Sequence, residues 1–586
     1  MREVLAVALL TALLAVPRAV SAASAADAAP ALDAAAQTAI DRLFARQVHP
    51  DGPGCALQVA RDGAAVFARG YGMANLQFAI PNAPDVVYPI GSNSKQFTAM
   101  AILLLAEEGK LSLDDDIRKY LPDFPAYGTP ATPIRIRHLL FHTSGLRDYQ
   151  ALRFLAGVPP ERLERSEILG LLRRQRGLNF PPGTKHSYSN AGYVLLGSIV
   201  EKITGKSLPD FAAERIFAPL GMTHTLWTER ADVVVPRGAA LYLGDHDDGY
   251  QMKTAASLAG SGGIWTTTGD LLKWLDNWRH NRLGRGSQEL VARELSRGAL
   301  DDGTPIEYGF GLFHDVYRGK PILWHAGVGS GHVGDILVFP QENVSIVCLC
   351  NTHVDSRALT RQVADVVLGL QPPSASPAAA AKPAAAERFF DLAPAALGRF
   401  AGRYRNPVSG TVFRFAAEAD RVALYVGTMR IALRPVGADE LRSVDPDLGW
   451  HLRFEPAGAA APQTVKLFQD GKQTAQYRRL PPPPAADVLR AYAGSYFSEE
   501  LQATYTLAVE GDRLVLHTPV QPNGELEPLG PDSFLLSSPW FSVEFAFARQ
   551  KDAPNVVSGF EVSTGEADHI AFRRLPECAS PPPPSR

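Results

Sequence analysis

Cysteine is scarce in this sequence: Cys55, Cys348, Cys350 and Cys578 are the only four among 586 residues. So few exclude a disulfide framework as the source of the fold. Cys348 and Cys350 lie in the apolar run 344–350, where alternate residues share one face of a strand. Buried free thiols are the default expectation, with a bridge from Cys55 as the alternative in an oxidising compartment. Charge of one sign is also missing. Lys and Arg number 58 against 61 Asp and Glu, a net charge of -3, with no basic block. That argues against a nucleic-acid or anionic-membrane partner. After the N-terminus no run is apolar for 18 residues, so no stable membrane insertion is expected and the mature protein should be soluble. The fourteen histidines include no H-E-x-x-H, and Asp245-His246-Asp247-Asp248 lacks calcium-loop spacing and reads as an exposed turn. No phosphate loop or dinucleotide fingerprint appears, so no cofactor and no metal are expected. The sequence carries no signal for an oligomeric state.

What is present begins with an export signal. Arg2 precedes a short apolar stretch, 4–16, followed by small residues that suit cleavage after Ala22 or Ala25. Residues 1–22 are therefore read as a signal peptide, and periplasm or medium as the destination. No cysteine follows the cleavage region to carry a lipid anchor. At 46% hydrophobic and 20% charged residues the rest is globular.

Composition divides the chain further. Residues 371–387, QPPSASPAAAAKPAAAE, form a Pro/Ala linker. The prolines at 481–484 separate two further pieces, and 576–586 is a flexible tail. The folded parts are then 30–370, 388–480 and 485–575. The last two look like copies: LGRFAGRY at 397–404 matches LRAYAGSY at 489–496, and both close on an aromatic-Arg-Arg-Leu, at 477–480 and 572–575. Short alternating runs between turn residues predict small all-β, up-and-down (lipocalin-like) barrels. The first part mixes types. A hairpin over 55–61 and 64–72 turns at Asp62-Gly63, a helix runs from Lys95 to Gly109, and strands are expected at 321–324, 334–339 and 344–350. Strands from both ends joining one antiparallel sheet, flanked by helices and beside a helical middle, make an α/β (α+β) domain with a cleft between sheet and helices.

Three short motifs carry chemistry. Ser92-Asn93-Ser94-Lys95 follows Gly91 and opens the predicted helix. There the backbone N–H groups favour developing negative charge, and one helical turn puts Lys95 on the face of Ser92. A serine hydroxyl needs a nearby base, which an amine one turn away can supply. Tyr188-Ser189-Asn190 sits where a loop enters an apolar helix; the phenol can relay the serine proton and the amide can bond substrate and lysine. His325-Ala326-Gly327 follows the strand at 321–324, where Gly327 lets a substrate backbone approach and the N–H of Val328 can join that of Ser92 as an oxyanion hole.

In this order the motifs resemble the serine β-lactamase and penicillin-binding protein superfamily, closest to its class C branch and peptidase and esterase relatives. GKLSLDD at 109–115, HTSGL at 142–146 and LGMT at 220–223 are further phrases of that family. The resemblance implies that Ser92 becomes an acyl-enzyme, that Lys95 and Tyr188 share the proton work, and that Asn190 positions them. His325 stands where many relatives carry lysine, able to hydrogen-bond Tyr188 or a substrate carboxylate. Phe141, His142 and Ser144 brace the cleft. If Lys95 is the base, lowering its pKa from about 10.4 to near 7 costs roughly 4–5 kcal/mol; ionisation of Tyr188 beside charged Lys95 is the alternative. Two barrels after such a domain resemble bacterial D-aminopeptidases, where a loop of the last barrel enters the active site. Lys551-Asp552 and Glu566-Ala567-Asp568 are the candidate acidic contacts for a substrate amine. The expected partner is a small-molecule or peptide substrate. A D-aminopeptidase-like hydrolase of amide or ester bonds leads, ahead of an esterase, a D-Ala-D-Ala carboxypeptidase and a non-catalytic wall or lipid binder.

Overall fold

A computed structural model describes residues 30–576 apart from 128–131, 160–163, 248, 256, 371–388, 391, 427–428, 446–447, 459–460, 470, 519–522 and 538–541. The expected signal peptide, the whole Pro/Ala linker, Cys578 and the tail after 576 lie outside the described residues.

Asp62 and Gly63 take positive φ angles of 53° and 82°, as a two-residue hairpin between right-twisted strands requires. The hairpin they close, Cys55–Arg61 with Ala64–Tyr71, forms one edge of an eight-stranded sheet. The other six strands come from 297–350, and Cys55–Arg61 pairs antiparallel with Val344–Cys350. Strands from both ends of the domain thus meet in one sheet, with the helical middle packed beside it. One sheet face is covered by helices Ala34–Phe44 and Ser356–Leu368 through Ile40, Phe44, Leu359 and Val363. Against the other lies Lys95–Glu107, whose residues through Leu105 are all buried.

Cys55 and Cys350 are opposite one another in this register and are joined by a disulfide, which overturns the default expectation for both thiols. Composition placed Cys350 in a strand but could not say which strand would lie beside it. Cys348 remains a buried free thiol. The strand expected to end at Trp324 also runs further, as Lys320–Gly329. Its ladder with His332–Phe339 continues past Gly327 and outweighs the weak strand propensity of the glycines.

The C-terminal half folds as two closed eight-stranded barrels, with strands in sequential antiparallel order from Gly402 to Arg479 and from Gly494 to Arg574. The repeat has a physical basis. Gly402 and Gly494 both take φ 144°, and a Cβ there would stand 2.7 Å from Arg479 and 3.2 Å from Arg574. These closing arginines bond the carbonyls of Ala401 and Ala493, tying the last strand over the first turn. Both barrel interiors are filled by their own side chains, among them Phe400, Phe413 and Phe454 in one and Tyr496, Phe545 and Phe560 in the other. The first barrel has its own core, whereas the core of the second is continuous with that of the helical subdomain. A buried ion pair, Arg147 Nη1 to Glu500 Oε2 at 2.6 Å, and a bond from Tyr505 to the Leu155 carbonyl fasten that junction.

Candidate active site

Gly91 (φ 51°) turns the chain from the strand Tyr88–Pro89 into the short 3-10 segment Gly91–Ser94, which leads into the helix Lys95–Glu107. The Asn93 amide fixes this turn by donating to the carbonyls of Ile90 and Gly334. The free edge of residues 325–329 lies against it, because the neighbouring strand Phe313–Tyr317 pairs only with residues 320–324. Close approach there demands glycine. A Cβ on Gly327 would stand 1.9 Å from the Ile90 oxygen, and one on Gly91 3.0 Å from the Val328 nitrogen. The Val328 N–H is thereby brought beside the Ser92 turn, and the Val328 side chain is 66% exposed on the accessible side.

Lys95 is fully buried, one turn below a half-exposed Ser92. Its Nζ lies 3.0 Å from Ser92 Oγ, 2.8 Å from Asn190 Oδ1 and 2.9 Å from the Ser261 carbonyl. The last two are acceptors only. A neutral amine has two N–H groups for them and one lone pair, which points at the Ser92 hydroxyl. Burial lowers the Lys95 pKa to about 7, against an upward pull from the Asp148 carboxylate. Burial thus makes the neutral, basic amine available near pH 7, and the same contacts aim it at Ser92.

Tyr188 covers the lysine, its ring centroid 4.9 Å from Nζ. Its hydroxyl is buried without a well-formed hydrogen bond, and burial drives its pKa well above the phenol range despite the nearby Ser92. Of the two bases open to the sequence, Lys95 is the one that its surroundings favour. His142, in a positive-φ conformation, holds the Tyr188 loop: its carbonyl accepts from Ser187 N–H, its Nδ1 from Ser189 N–H, and its ring lies 4.1 Å from that of Tyr188.

His325 is also buried, but it does not hydrogen-bond Tyr188, whose ring is 6.2 Å away. Its Nδ1 faces the Ala326 carbonyl at 2.7 Å and therefore carries the proton, leaving Nε2 to accept from the Tyr308 hydroxyl at 3.2 Å. Burial, then the Lys95 charge, lowers its pKa to about 3, so the ring is neutral. A neutral imidazole whose acceptor nitrogen is engaged makes a poor clamp for a substrate carboxylate.

Ser92, Asn190 and Tyr188 thus gather around Lys95, with His325 beside Tyr188 and with Gly327 and Val328 against the Ser92 turn. The sequence reading missed Asp148, Ser261 and Tyr308. Asp148 is buried and accepts from the Asn190 N–H, coupling the lysine's partner to a carboxylate. Its place two residues after the 142–146 phrase was the one available signal. The loop 564–569 of the last barrel docks on this segment. The Glu566 carbonyl accepts from Asp148 N–H at 2.8 Å and from the Asn179 amide at 2.9 Å, and His569 O accepts from Arg147. Glu566 is an exposed residue, yet lost hydration of its carboxyl against the docked segment, and then the charge of Asp148, raise it to about 7. Lys551 and Asp552 sit instead on an exposed turn between Ser542–Arg549 and Val557–Ser563.

Residues 40–368, more than half of the chain, match the Beta-lactamase family model, and the chain belongs to that family. A D-aminopeptidase of Brucella ovis is 29% identical over 553 residues, covering 89% of this chain and 96% of the relative. A D-aminopeptidase of Cereibacter sphaeroides is 30% identical over 512 residues, covering 83% and 88%. The octameric penicillin-binding protein homologue of Pyrococcus abyssi shares the fold with a TM-score of 0.51 at 21% identity, over 83% of this chain and 98% of that one. The protein is a serine hydrolase of the β-lactamase family, of the peptidase and amidase kind. No helix among the described residues is long and apolar enough to cross a membrane.

Proposed function

We propose that the chain is an exported aminopeptidase that cleaves the amide bond following a free N-terminal D-residue, through an acyl-enzyme on Ser92. In this reading neutral Lys95 takes the Ser92 proton as Oγ attacks the carbonyl carbon. The oxyanion is held by the N–H groups of Ser92 and Val328. The leaving amine needs a proton, which the Tyr188 hydroxyl gives while Lys95 replenishes it, and the C–N bond breaks. Water, activated by Lys95, then releases the acid and restores Ser92.

The observation that carries the aminopeptidase reading is the docked loop 564–569, which sets Glu566 beside Asp148, the carboxylate that holds the Asn190 backbone. A carboxyl whose pKa is raised beside the Asp148 charge suits an ammonium ion. Relatives named as D-aminopeptidases match over a length that reaches into the barrels, which supports the same reading. The Nε2 of His325, occupied by Tyr308, weighs against carboxylate recognition and so against a carboxypeptidase. The N-terminal sequence and the Cys55–Cys350 bridge support export to the periplasm or medium.

Purified protein offered D-Ala-p-nitroanilide, L-Ala-p-nitroanilide, N-acetyl-D-Ala-p-nitroanilide, nitrocefin and a D-Ala-D-Ala peptide tests the proposal. Fastest turnover of the free-amine D-anilide is expected, with acetylation costing about 100-fold or more and Glu566→Gln raising KM about tenfold. Equal rates with the acetylated substrate, or fastest hydrolysis of nitrocefin, would contradict it.

A further inference from the structure

The turn at 245–248, which the sequence marks only as exposed and acidic, does not stand alone. The hairpin Leu241–Asp245 and Gly249–Lys253 folds its tip onto the segment that precedes the first sheet strand. His246 there faces His49, their rings 4.5 Å apart and inclined by 39°. Asp51 lies on the same spot, its carboxylate bonded to His49 Nδ1. One ligand atom from each of His49, Asp51 and His246 falls within 4.8 Å of the others, and all three side chains are exposed.

We infer that these three residues form a binding site for a divalent transition metal of the zinc class. Two imidazoles and a carboxylate are a donor set for Zn²⁺ and its neighbours, whereas Ca²⁺ and Mg²⁺ take oxygen ligands. Tetrahedral zinc with ligands at about 2.0–2.1 Å holds ligand atoms about 3.3 Å apart. Exposed side chains can reach that spacing by rotamer adjustment, with the His49–Asp51 pair opening to admit the ion. The backbone beneath them is already set. Gly52 N–H bonds the His49 carbonyl, Met73 N–H bonds Gly52, and a Cβ on Gly52 would stand 3.0 Å from the Tyr250 hydroxyl of the hairpin. The Asp247 carboxylate lies 3.7 Å from His246 Nδ1, close enough to add negative charge beside the site.

The bound ion joins stretches about 200 residues apart in sequence. It would pin a hairpin whose Tyr242 N–H bonds the Gly331 and Asn351 carbonyls, just beyond the edge that carries Val328. The site is independent of the reaction assigned to Ser92.

Untagged protein stripped with EDTA and titrated with Zn²⁺ by calorimetry tests the inference. About one equivalent is expected to bind, unaffected by millimolar Ca²⁺, with a raised unfolding temperature. His246→Ala and His49→Ala should each weaken binding at least tenfold and abolish that rise, while Ser92→Ala binds as the parent does. Because both histidines are on the surface, the metal-free unfolding temperature of the variants should match the parent. No saturable binding, or equal affinity in His246→Ala, would overturn the site, as would competition by Ca²⁺.

Discussion

Replacing Lys95 by arginine keeps a cation at the centre of the cleft and removes its ability to give up a proton. In the parent, burial brings the lysine from 10.5 to about 7. At about 1.4 kcal/mol per pKa unit, that is about 5 kcal/mol against the charged form. Near pH 7 about half the molecules therefore hold a neutral amine aimed at Ser92. A guanidinium, with a pKa above about 12, is neutral in fewer than about one molecule in 10⁵ at that pH. General-base catalysis contributes typically about 10²–10⁴-fold, and Lys95→Arg should lose a factor in that range. Hydrolysis of p-nitrophenyl acetate is the assay, because this ester has no amine for Glu566 to read and its leaving group needs no proton. Deprotonation creates the base, so kcat/KM of the parent should rise with pH through about 7 and then level. The wild-type profile needs no variant to fold; for Lys95→Arg, circular dichroism checks that it does. A profile flat between pH 5 and 8, or a folded Lys95→Arg within threefold of the parent, would refute the assignment of the base.

Three further outcomes follow from the packing. Glu500→Ala strands Arg147 in the junction between helical subdomain and last barrel; losing one partner of a buried pair costs about 3–5 kcal/mol, so calorimetry should show the unfolding transition lowered and split. Glu294 is fully buried, and neither its oxygens nor the indole N–H of Trp278 finds a well-formed bond, so its carboxyl is held well above its ordinary range. The unfolded chain ionises this group above about pH 4.5 and the native one does not, so stability falls as pH rises; Glu294→Met should be more stable than the parent in urea at pH 8 and gain less at pH 5. Tyr308→Phe removes the donor to His325 Nε2 and should cost about 1–3 kcal/mol in the same urea assay, and an unchanged midpoint would contradict the assigned tautomer.

Local rules made much of this legible. Asp62-Gly63 specified a hairpin, the matched phrases at 397 and 489 specified twin barrels, and three residues of helix put Lys95 under Ser92. What escaped was non-local. Whether Cys350 meets Cys55 depends on which strand becomes its neighbour, and strand order is not a property of the run 344–350. Ser261 contributes only a backbone carbonyl to Lys95, which no side-chain pattern reveals. Tyr308 meets His325 from a strand two places away across the sheet, and so engages the nitrogen that motif reasoning had assigned to Tyr188 or substrate. Glu566 belonged to one of two candidate acidic turns of equal standing until the fold showed which of them docks on residues 147–148. The tip at 245–248 gained a meaning only when His49 was found opposite it.

The central claim is that the Ser92 hydroxyl, with Lys95 beneath it, is the reacting group. Labelling with a fluorophosphonate, followed by peptide mapping by mass spectrometry, tests this most directly. One adduct per chain on the peptide containing Ser92, absent from a folded Ser92→Ala variant, is the predicted result. An adduct on any other residue, or undiminished labelling of Ser92→Ala, would contradict it.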